Sequence, residues 1–130
     1  MGQKRRVLVV DDERDFLELI KERLEYNNYE VLTAESGKEA LEKIGAYKPE
    51  VVFLDIIMPD IDGLGVLKKI RKSNKDLPIF ILSAHSDKKH FMQAKKLGAS
   101  GFIVKTDDLQ SQIQEVSSVL NLAHQYKGRP

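Results

Sequence analysis

The sequence predicts an α/β fold in which a doubly wound, five-stranded parallel sheet lies between two layers of helices. Apolar runs at residues 7–10, 51–54 and 79–82 are rich in β-branched or aromatic side chains, which is typical of strands covered on both faces. Strand and helix patterns alternate five times, with connections long enough for parallel crossovers. A polar or charged residue follows each apolar run, as expected where buried strands emerge into loops.

The first half of the chain contains two strand and helix pairs. Residues 5–10 form the first predicted strand, and residues 13–26 have the periodicity of an amphipathic helix that Asn27 and Asn28 end. Residues 29–34 form the second strand. Ser36 and Glu39 have capping-box spacing and begin a helix that ends before Pro49. The first helix is expected to bury Phe16, Leu17, Ile20 and Leu24.

The central strand, residues 51–54, organises the second half of the chain. It ends at Asp55, Pro59 breaks it, and residues 60–63 supply a turn before a helix that buries Leu64, Leu67 and Ile70. The next strand, residues 79–82, ends at Ser83. The helix after it is predicted to place Phe91, Ala94 and Leu97 inward and to end at Gly98 in a left-handed C-cap.

The last strand and helix complete the pattern. Residues 101–104 form a short strand that ends at Lys105, and Asp107 and Gln110 are predicted to cap the final helix. Residues 124–130 are expected to be a tail or the start of a linker. The stripe of the final helix that faces the core is predicted to contain Leu109, Ile113, Val116, Leu120 and Ala123.

Length and composition favour one soluble domain over residues 1–130, with a core at about 5–123. Lys and Arg number 21 against 20 Asp and Glu, so the net charge of +1 does not favour nucleic acid or a membrane surface as a partner. The absence of cysteine excludes thiolate sites and suits a reducing cytoplasm. No apolar stretch approaches the roughly 20 residues of a membrane span.

Five polar residues at strand ends form the candidate site: Asp11, Asp12, Asp55, Ser83 and Lys105. Parallel strands exit at one edge of the sheet, so these side chains are expected to converge. Clustered carboxylates need a cation or raised pKa values, and an oxygen-only set favours Mg²⁺ over zinc. A carboxylate nucleophile, a divalent ion, a lysine and a hydroxyl together suit phosphoryl transfer.

With these motifs in this order, the chain resembles the receiver domains of two-component response regulators over about residues 5–123. The resemblance implies a flavodoxin-like fold with strand order 2-1-3-4-5. It also implies that Asp55 accepts a phosphoryl group from a histidine kinase or a phosphotransfer protein. Asp12 would bind Mg²⁺ (or Mn²⁺) directly, together with Asp55 and the backbone carbonyl of Ile57. Asp11 would act mainly through water.

The resemblance also assigns roles beyond the metal. Lys105 and Ser83 would hold phosphoryl oxygens. Phe102 stands at the position of the aromatic switch residue, so movement of Ser83 toward the phosphoryl group would let Phe102 turn inward and repack the face of the fourth helix, fifth strand and fifth helix. Partners would then be an unidentified downstream protein and, in some states, a second copy in a phosphorylation-dependent dimer, with neither nucleic acid nor membrane bound directly.

Two departures from the family pattern affect the expected chemistry. Receivers usually carry proline after the lysine, in a cis peptide, whereas this chain has Thr106, so this peptide is either cis with strain or trans. Ile57 and His85 occupy positions that influence access of water to the acyl phosphate. Because Ile57 cannot orient a water molecule, we predict that phosphorylated Asp55 is not hydrolysed fast in comparison with other receiver domains.

Other functions fit the sequence less well. An Asp-nucleophile phosphatase usually has a second Asp two residues after the first, where this chain has Ile57. A flavin carrier would need a donor-rich loop where this chain has acidic residues 11–13. A receiver-like module that works without phosphate is disfavoured because all five site residues are present. The sequence therefore predicts a signalling switch that catalyses only its own phosphorylation and dephosphorylation. It leaves open whether the chain is a stand-alone regulator or a module of a longer regulator or hybrid kinase.

Overall fold

A computed structural model describes residues 4–84 and 88–127, with the backbone alone for residues 123–127. Five strands alternate with five helices along the chain. The strands are β1 (Arg5–Val10), β2 (Tyr29–Ala34), β3 (Val51–Leu54), β4 (Ile79–Ser83) and β5 (Gly101–Val104). The helices are α1 (Arg14–Tyr26), α2 (Gly37–Tyr47), α3 (Gly63–Ser73), α4 (Lys88–Lys96) and α5 (Leu109–Lys127). Among the helices described, none has both the length and the apolar content required to cross a membrane.

The strands form one parallel sheet in the order β2-β1-β3-β4-β5, which confirms the predicted flavodoxin-like topology. In the register of the two central strands, Val10 lies opposite Leu54, so β1 and β3 end side by side. The connections from β1 and from β3 lead to opposite sides of the sheet, so the topological switch point lies between these two strands. Ligands of doubly wound sheets bind at such a switch point. The fold therefore places the residues that follow β1 and β3 at the preferred binding edge.

Alternating side chains of each strand face opposite helix layers. Leu8, Val10, Val52 and Leu54 pack with the buried residues of α2, α3 and α4. Val7, Val9, Val51 and Phe53 pack with those of α1 and α5. Both faces of the sheet are thus covered, which explains why the strands are continuous apolar runs rather than alternating ones.

The helix ends agree with the sequence predictions at α2 and differ at α5. The Ser36 hydroxyl accepts a hydrogen bond from the Glu39 amide at 3.1 Å, as predicted for the capping box. At α5 the prediction that Asp107 caps the helix is wrong. The Asp108 carboxylate accepts from the Gln110 amide at 3.1 Å, because the helix begins one residue later than its acidic pair suggested.

Helix α4 ends as predicted, but one residue of its predicted inward face is exposed. Gly98 has φ +95°, in the left-handed region that suits glycine after a helix. Ala94 is buried as predicted, whereas Phe91 is 46% exposed and its ring packs against that of Phe102 at 5.7 Å. The predicted stripe of α5 is confirmed, with Ile113, Val116 and Leu120 buried and Leu109 partly buried. Its Ala123 lies outside the described side chains, as does His85.

Candidate functional site at the carboxyl edge of the sheet

Backbone hydrogen bonds continue beyond the strand ends and hold the site residues in register. The amide of Asp11 donates to Ala34 at 3.0 Å, and the amide of Asp55 donates to Val10 at 3.0 Å. On the far side of the site, the amide of Lys105 donates to the carbonyl of Ser83 at 2.9 Å. The convergence predicted from the sequence is therefore set by the sheet ladder itself rather than by flexible loops.

Asp11, Asp12 and Asp55 form a carboxylate cluster. Each offers one carboxylate oxygen, and these oxygens lie within 4.8 Å of one another. Asp11 and Asp55 are buried, whereas Asp12 is exposed at the rim. Oxygen donors at this spacing, with two acids withdrawn from water, match the preference of Mg²⁺ for carboxylate ligands.

Lys105 lies against this cluster. Its ammonium forms an ion pair with Asp11, contacts Glu13 at 2.9 Å and lies 3.7 Å from Asp55 Oδ2. The same ammonium lies 4.6 Å from the centre of the Phe16 ring. The lysine side chain is only 11% exposed, so it is held by contacts on several sides.

The contacts of Glu13 and Phe16 with Lys105 were not predicted from the sequence. Glu13 was expected only as part of an acidic run, and Phe16 only as a core residue. Both lie at the start of α1, directly after the Asp11–Asp12 pair. Their proximity in sequence to Asp11 and Asp12 was the only feature of the sequence that could have indicated these contacts.

Burial and the lysine act in opposite directions on Asp11. Burial raises the pKa of Asp11 to about 6 from 3.8, although hydrogen bonds from Lys105 and from the Glu13 amide oppose the rise. Burial also lowers the pKa of Lys105, but its hydrogen bonds to Asp11 and Glu13 more than offset this, so that pKa lies above its ordinary value. One ammonium therefore does not compensate fully for the burial of Asp11, and the cluster favours a further cation.

The buried carboxylate of Asp55 has capacity for another ligand. Within the part of the chain that the structure describes, Asp55 Oδ1 is buried and has no hydrogen-bond partner. A buried carboxylate oxygen without a donor costs free energy unless a cation or proton satisfies it. The donor set and this oxygen together fit a divalent metal ion.

The remaining predicted site residues lie around the cluster. Ser83 is buried at the end of β4, and Ile57 is 46% exposed in the loop after β3. Phe102 is partly buried on β5. The Lys105–Thr106 peptide is trans, since the described residues contain no cis peptide, and this settles the alternative left by the missing proline.

The loop between β3 and α3 folds tightly onto Asp55. The amide of Gly63 donates to the carbonyl of Ile56 at 2.6 Å, and a Cβ on Gly63 would lie 1.9 Å from the backbone oxygen of Asp55. Farther along, Asp60 accepts from the amides of Gly37 and Lys38 at the start of α2, at 2.9 and 3.0 Å. Gly63 therefore permits a close approach of two backbone segments that fixes the position of Asp55.

We predict that Gly63→Ala destabilises the protein by about 1–3 kcal/mol and weakens Mg²⁺ binding, because the new methyl group forces the Asp55 backbone to move. Urea denaturation and calorimetric Mg²⁺ titration measure both effects. Gly45→Ala is the matched control, since a Cβ there meets nothing within 4 Å. That helical substitution should leave stability unchanged or raise it by up to about 1 kcal/mol. Equal behaviour of the two variants would contradict the role of Gly63.

Sequence comparison matches this chain to one protein family over most of its length. The family model for the response regulator receiver domain matches residues 7–117. Response regulator MprA of Mycolicibacterium vanbaalenii is 35% identical over 115 residues, which cover 88% of this chain and 50% of that protein. The chain thus spans about half the length of the curated relatives it matches.

Solved structures give the same assignment. The receiver domain of the Francisella response regulator 1452 superposes with a TM-score of 0.85 at 31% identity, covering 95% of this chain and 99% of that one. Response regulator TrrA of Thermotoga maritima, in complex with Mg²⁺ and BeF, gives 0.77 at 39% identity over 88% and 97% of the two chains. With the family model matched over nearly the whole sheet and the acidic cluster in place, the chain belongs to the response regulator receiver domain family.

Proposed function

We propose that this chain is a phosphorylation-controlled switch in which Asp55 accepts a phosphoryl group from a phosphohistidine donor. Phosphorylation at an aspartate and Mg²⁺ binding are typical of the family, and its members interact with histidine kinases or phosphotransfer proteins. The proposal places that exchange in the cytoplasm. Catalysis would extend only to the phosphorylation of Asp55 and to its hydrolysis.

One observation carries the proposal: buried Asp55 lies within one cluster with two further acids and has Lys105 Nζ 3.7 Å from its Oδ2. A lone strand-end aspartate would need neither neighbour. The acids supply ligands for Mg²⁺, or for Mn²⁺, and the lysine supplies a positive charge where the equatorial phosphoryl oxygens would lie. Asp12, Asp55 and the Ile57 carbonyl would hold the ion directly, with Asp11 acting through water.

The proposed transfer requires only Asp55 and the phosphohistidine donor as reactants. A carboxylate oxygen of Asp55 attacks phosphorus, the P–N bond to the donor imidazole breaks, and its electron pair returns to that nitrogen. When bound, the metal ion neutralises negative charge on the phosphoryl oxygens. The ammonium of Lys105 can leave Asp11 for a phosphoryl oxygen over a short distance, because it already lies between Asp11 and Asp55. Ser83 donates its hydroxyl to another oxygen.

The output of the switch would lie on the face formed by α4, β5 and α5. Movement of Ser83 toward the phosphoryl group would free space for Phe102, whose ring packs on that of exposed Phe91 in this structure. Inward rotation of Phe102 would break this aromatic pair and change the surface that partners contact. A downstream protein or a second copy of the chain would bind the changed face.

The proposed function is tested by intact mass spectrometry after incubation with acetyl phosphate and Mg²⁺. A single phosphoryl adduct that requires Asp55 supports it, and the absence of any adduct from the wild-type protein would overturn it. The choice of a small phosphodonor removes the need to know the kinase.

We predict that replacing Ile57 by Asn speeds hydrolysis of phosphorylated Asp55 by a factor on the order of 3–10, because a carboxamide can orient an attacking water molecule and an alkyl group cannot. Ile57 is 46% exposed, so the exchange should not disturb the core. Loss of the adduct with time, measured after removal of acetyl phosphate, gives the rate. Ile57→Val is the control and should match the wild type. An Asn variant with the wild-type rate would refute the role of Ile57.

A further inference from the structure

Helix α5 carries a buried polar side chain that contacts the loop after β5. Gln112 is 1% exposed, and its Oε1 accepts a hydrogen bond from the backbone amide of Thr106 at 2.7 Å. Thr106 also donates its hydroxyl to the carbonyl of Asp108 at 3.1 Å. The peptide directly after Lys105 is therefore tied to the first turn of α5 by a side chain that is withdrawn from water.

The two peptide units that flank Lys105 are both fixed. Its own amide donates to Ser83 on β4 at 2.9 Å, and the next amide donates to Gln112 on α5 at 2.7 Å. These bonds hold the Lys105 backbone between a strand and a helix. The direction in which the lysine side chain leaves the backbone therefore depends on both partners.

Burying Gln112 has a cost that packing alone does not explain. Within the described residues its Nε2 is buried without a hydrogen-bond partner. An unsatisfied buried donor costs free energy, whereas an apolar side chain of similar size would fill the same space without that cost. The contact that offsets this cost is the bond to Thr106. A proline at position 106 would have no amide hydrogen to donate, so this bond depends on the residue that this chain has there.

We propose that Gln112 is a positioning residue for phosphoryl transfer: it accepts a hydrogen bond from the Thr106 amide and thereby keeps the Lys105 ammonium beside both Asp11 and Asp55. The inference rests on the proposed function and deepens it, since Gln112 is not a member of the carboxylate cluster and is linked to Lys105 through the Thr106 amide. Gln112 acts on the chemistry only through the backbone of Lys105.

The first test compares Gln112→Met with the wild-type protein. Methionine has a similar length but cannot accept the amide hydrogen in the same way, so the maximal rate of labelling by acetyl phosphate should fall about tenfold. Mg²⁺ affinity should change less than about twofold, because the carboxylate cluster is intact. The Thr106 amide should exchange with deuterium faster, as its acceptor is lost.

Val116→Ala is the matched control for loss of α5 packing. Val116 is fully buried in the same helix and belongs to the apolar cluster that α1 and α5 form against the sheet. The Val116→Ala variant should have a lower melting temperature than the wild type, yet it should be labelled at nearly the wild-type rate. If Gln112→Met also labels at the wild-type rate while wild type is labelled normally, this inference fails and the proposed function stands. No labelling of the wild type would instead remove the proposed function.

A double-mutant cycle with Thr106→Pro separates the hydrogen bond from general effects of either residue. Proline removes the donor, so Gln112→Met should slow labelling strongly in the wild-type background and by less than about twofold in the Thr106→Pro background. Equal slowing in both backgrounds would show that Gln112 acts by another route and would overturn the proposal.

Discussion

Acetyl phosphate and Mg²⁺ are expected to add one phosphoryl group to the wild-type protein and none to Asp55→Asn. The carboxylate of Asp55 is the buried acid at the end of β3, with Lys105 Nζ at 3.7 Å, and an amide cannot replace it as a nucleophile. No adduct of Asp55→Asn should be detectable by intact mass spectrometry. Peptide mapping after borohydride reduction of the acyl phosphate should place the modification at Asp55.

Two controls distinguish the site from ordinary surface acids. Asp76→Asn removes an exposed acid that precedes β4 and so lies at the opposite edge of the sheet, and it should label like the wild type. EDTA should suppress labelling of the wild type, because the three carboxylates would then repel the incoming phosphoryl group. Equal labelling of wild type and Asp55→Asn would identify a different nucleophile and refute the assignment.

The architecture was predictable from the sequence because buried parallel strands leave a local signature. Residues 51–54 are apolar throughout since helices cover both sides of β3, and the same holds for residues 7–10 of β1. The exposure of an individual helix residue was less predictable. Phe91 is as apolar as a core residue, yet α4 turns it toward Phe102 at the surface, and only the packing of the whole layer decides this. Likewise, choosing Asp108 over Asp107 as the cap depends on where the first turn of α5 begins.

The convergence of Asp11, Asp12 and Asp55 was predictable for a different reason: the carboxyl ends of parallel strands share one edge. This rule applies only to residues that directly follow strands. Gln112 lies within a helix, and glutamine on a helix is usually exposed, so nothing in the sequence set it apart. Its role emerges only from the depth to which α5 packs and from the amide that Thr106 presents there.

In the absence of metal, Asp11→Asn is expected to stabilise the protein at pH 7.5. A carboxyl group whose folded-state pKa is raised adds stability at low pH and loses it as the pH rises through the folded value. For Asp11 that window runs from 3.8 to about 6, mainly because of burial. The difference corresponds to about 3 kcal/mol at most, so a gain of about 1–3 kcal/mol is expected when Asn removes the charge.

The exchange keeps one of the two contacts of Asp11 and loses its ion pair with Lys105. The Oδ1 atom of Asp11 accepts from the Glu13 amide at 2.9 Å, and an asparagine oxygen can accept the same bond. Lys105 keeps Glu13 at 2.9 Å and Asp55 at 3.7 Å as partners. The free energy of unfolding of Asp11→Asn, measured by urea denaturation in EDTA, should therefore exceed the wild-type value at pH 7.5. The excess should shrink as the pH falls below about 6 and disappear below 3.8, where wild-type Asp11 is protonated in both the folded and the unfolded state.

Mg²⁺ should reverse the order of stability at pH 7.5. A ligand that binds only the folded state stabilises it in proportion to the logarithm of its concentration relative to Kd, and the wild-type cluster binds the ion more tightly than one that lacks an acid. Asp12→Asn is the control: Asp12 is exposed, so its loss should weaken Mg²⁺ binding without the gain in EDTA. An Asp11→Asn protein that is less stable than wild type in EDTA at pH 7.5 would mean that the ion pair with Lys105 outweighs the burial of Asp11. The cluster would then have no need of a metal ion for its stability.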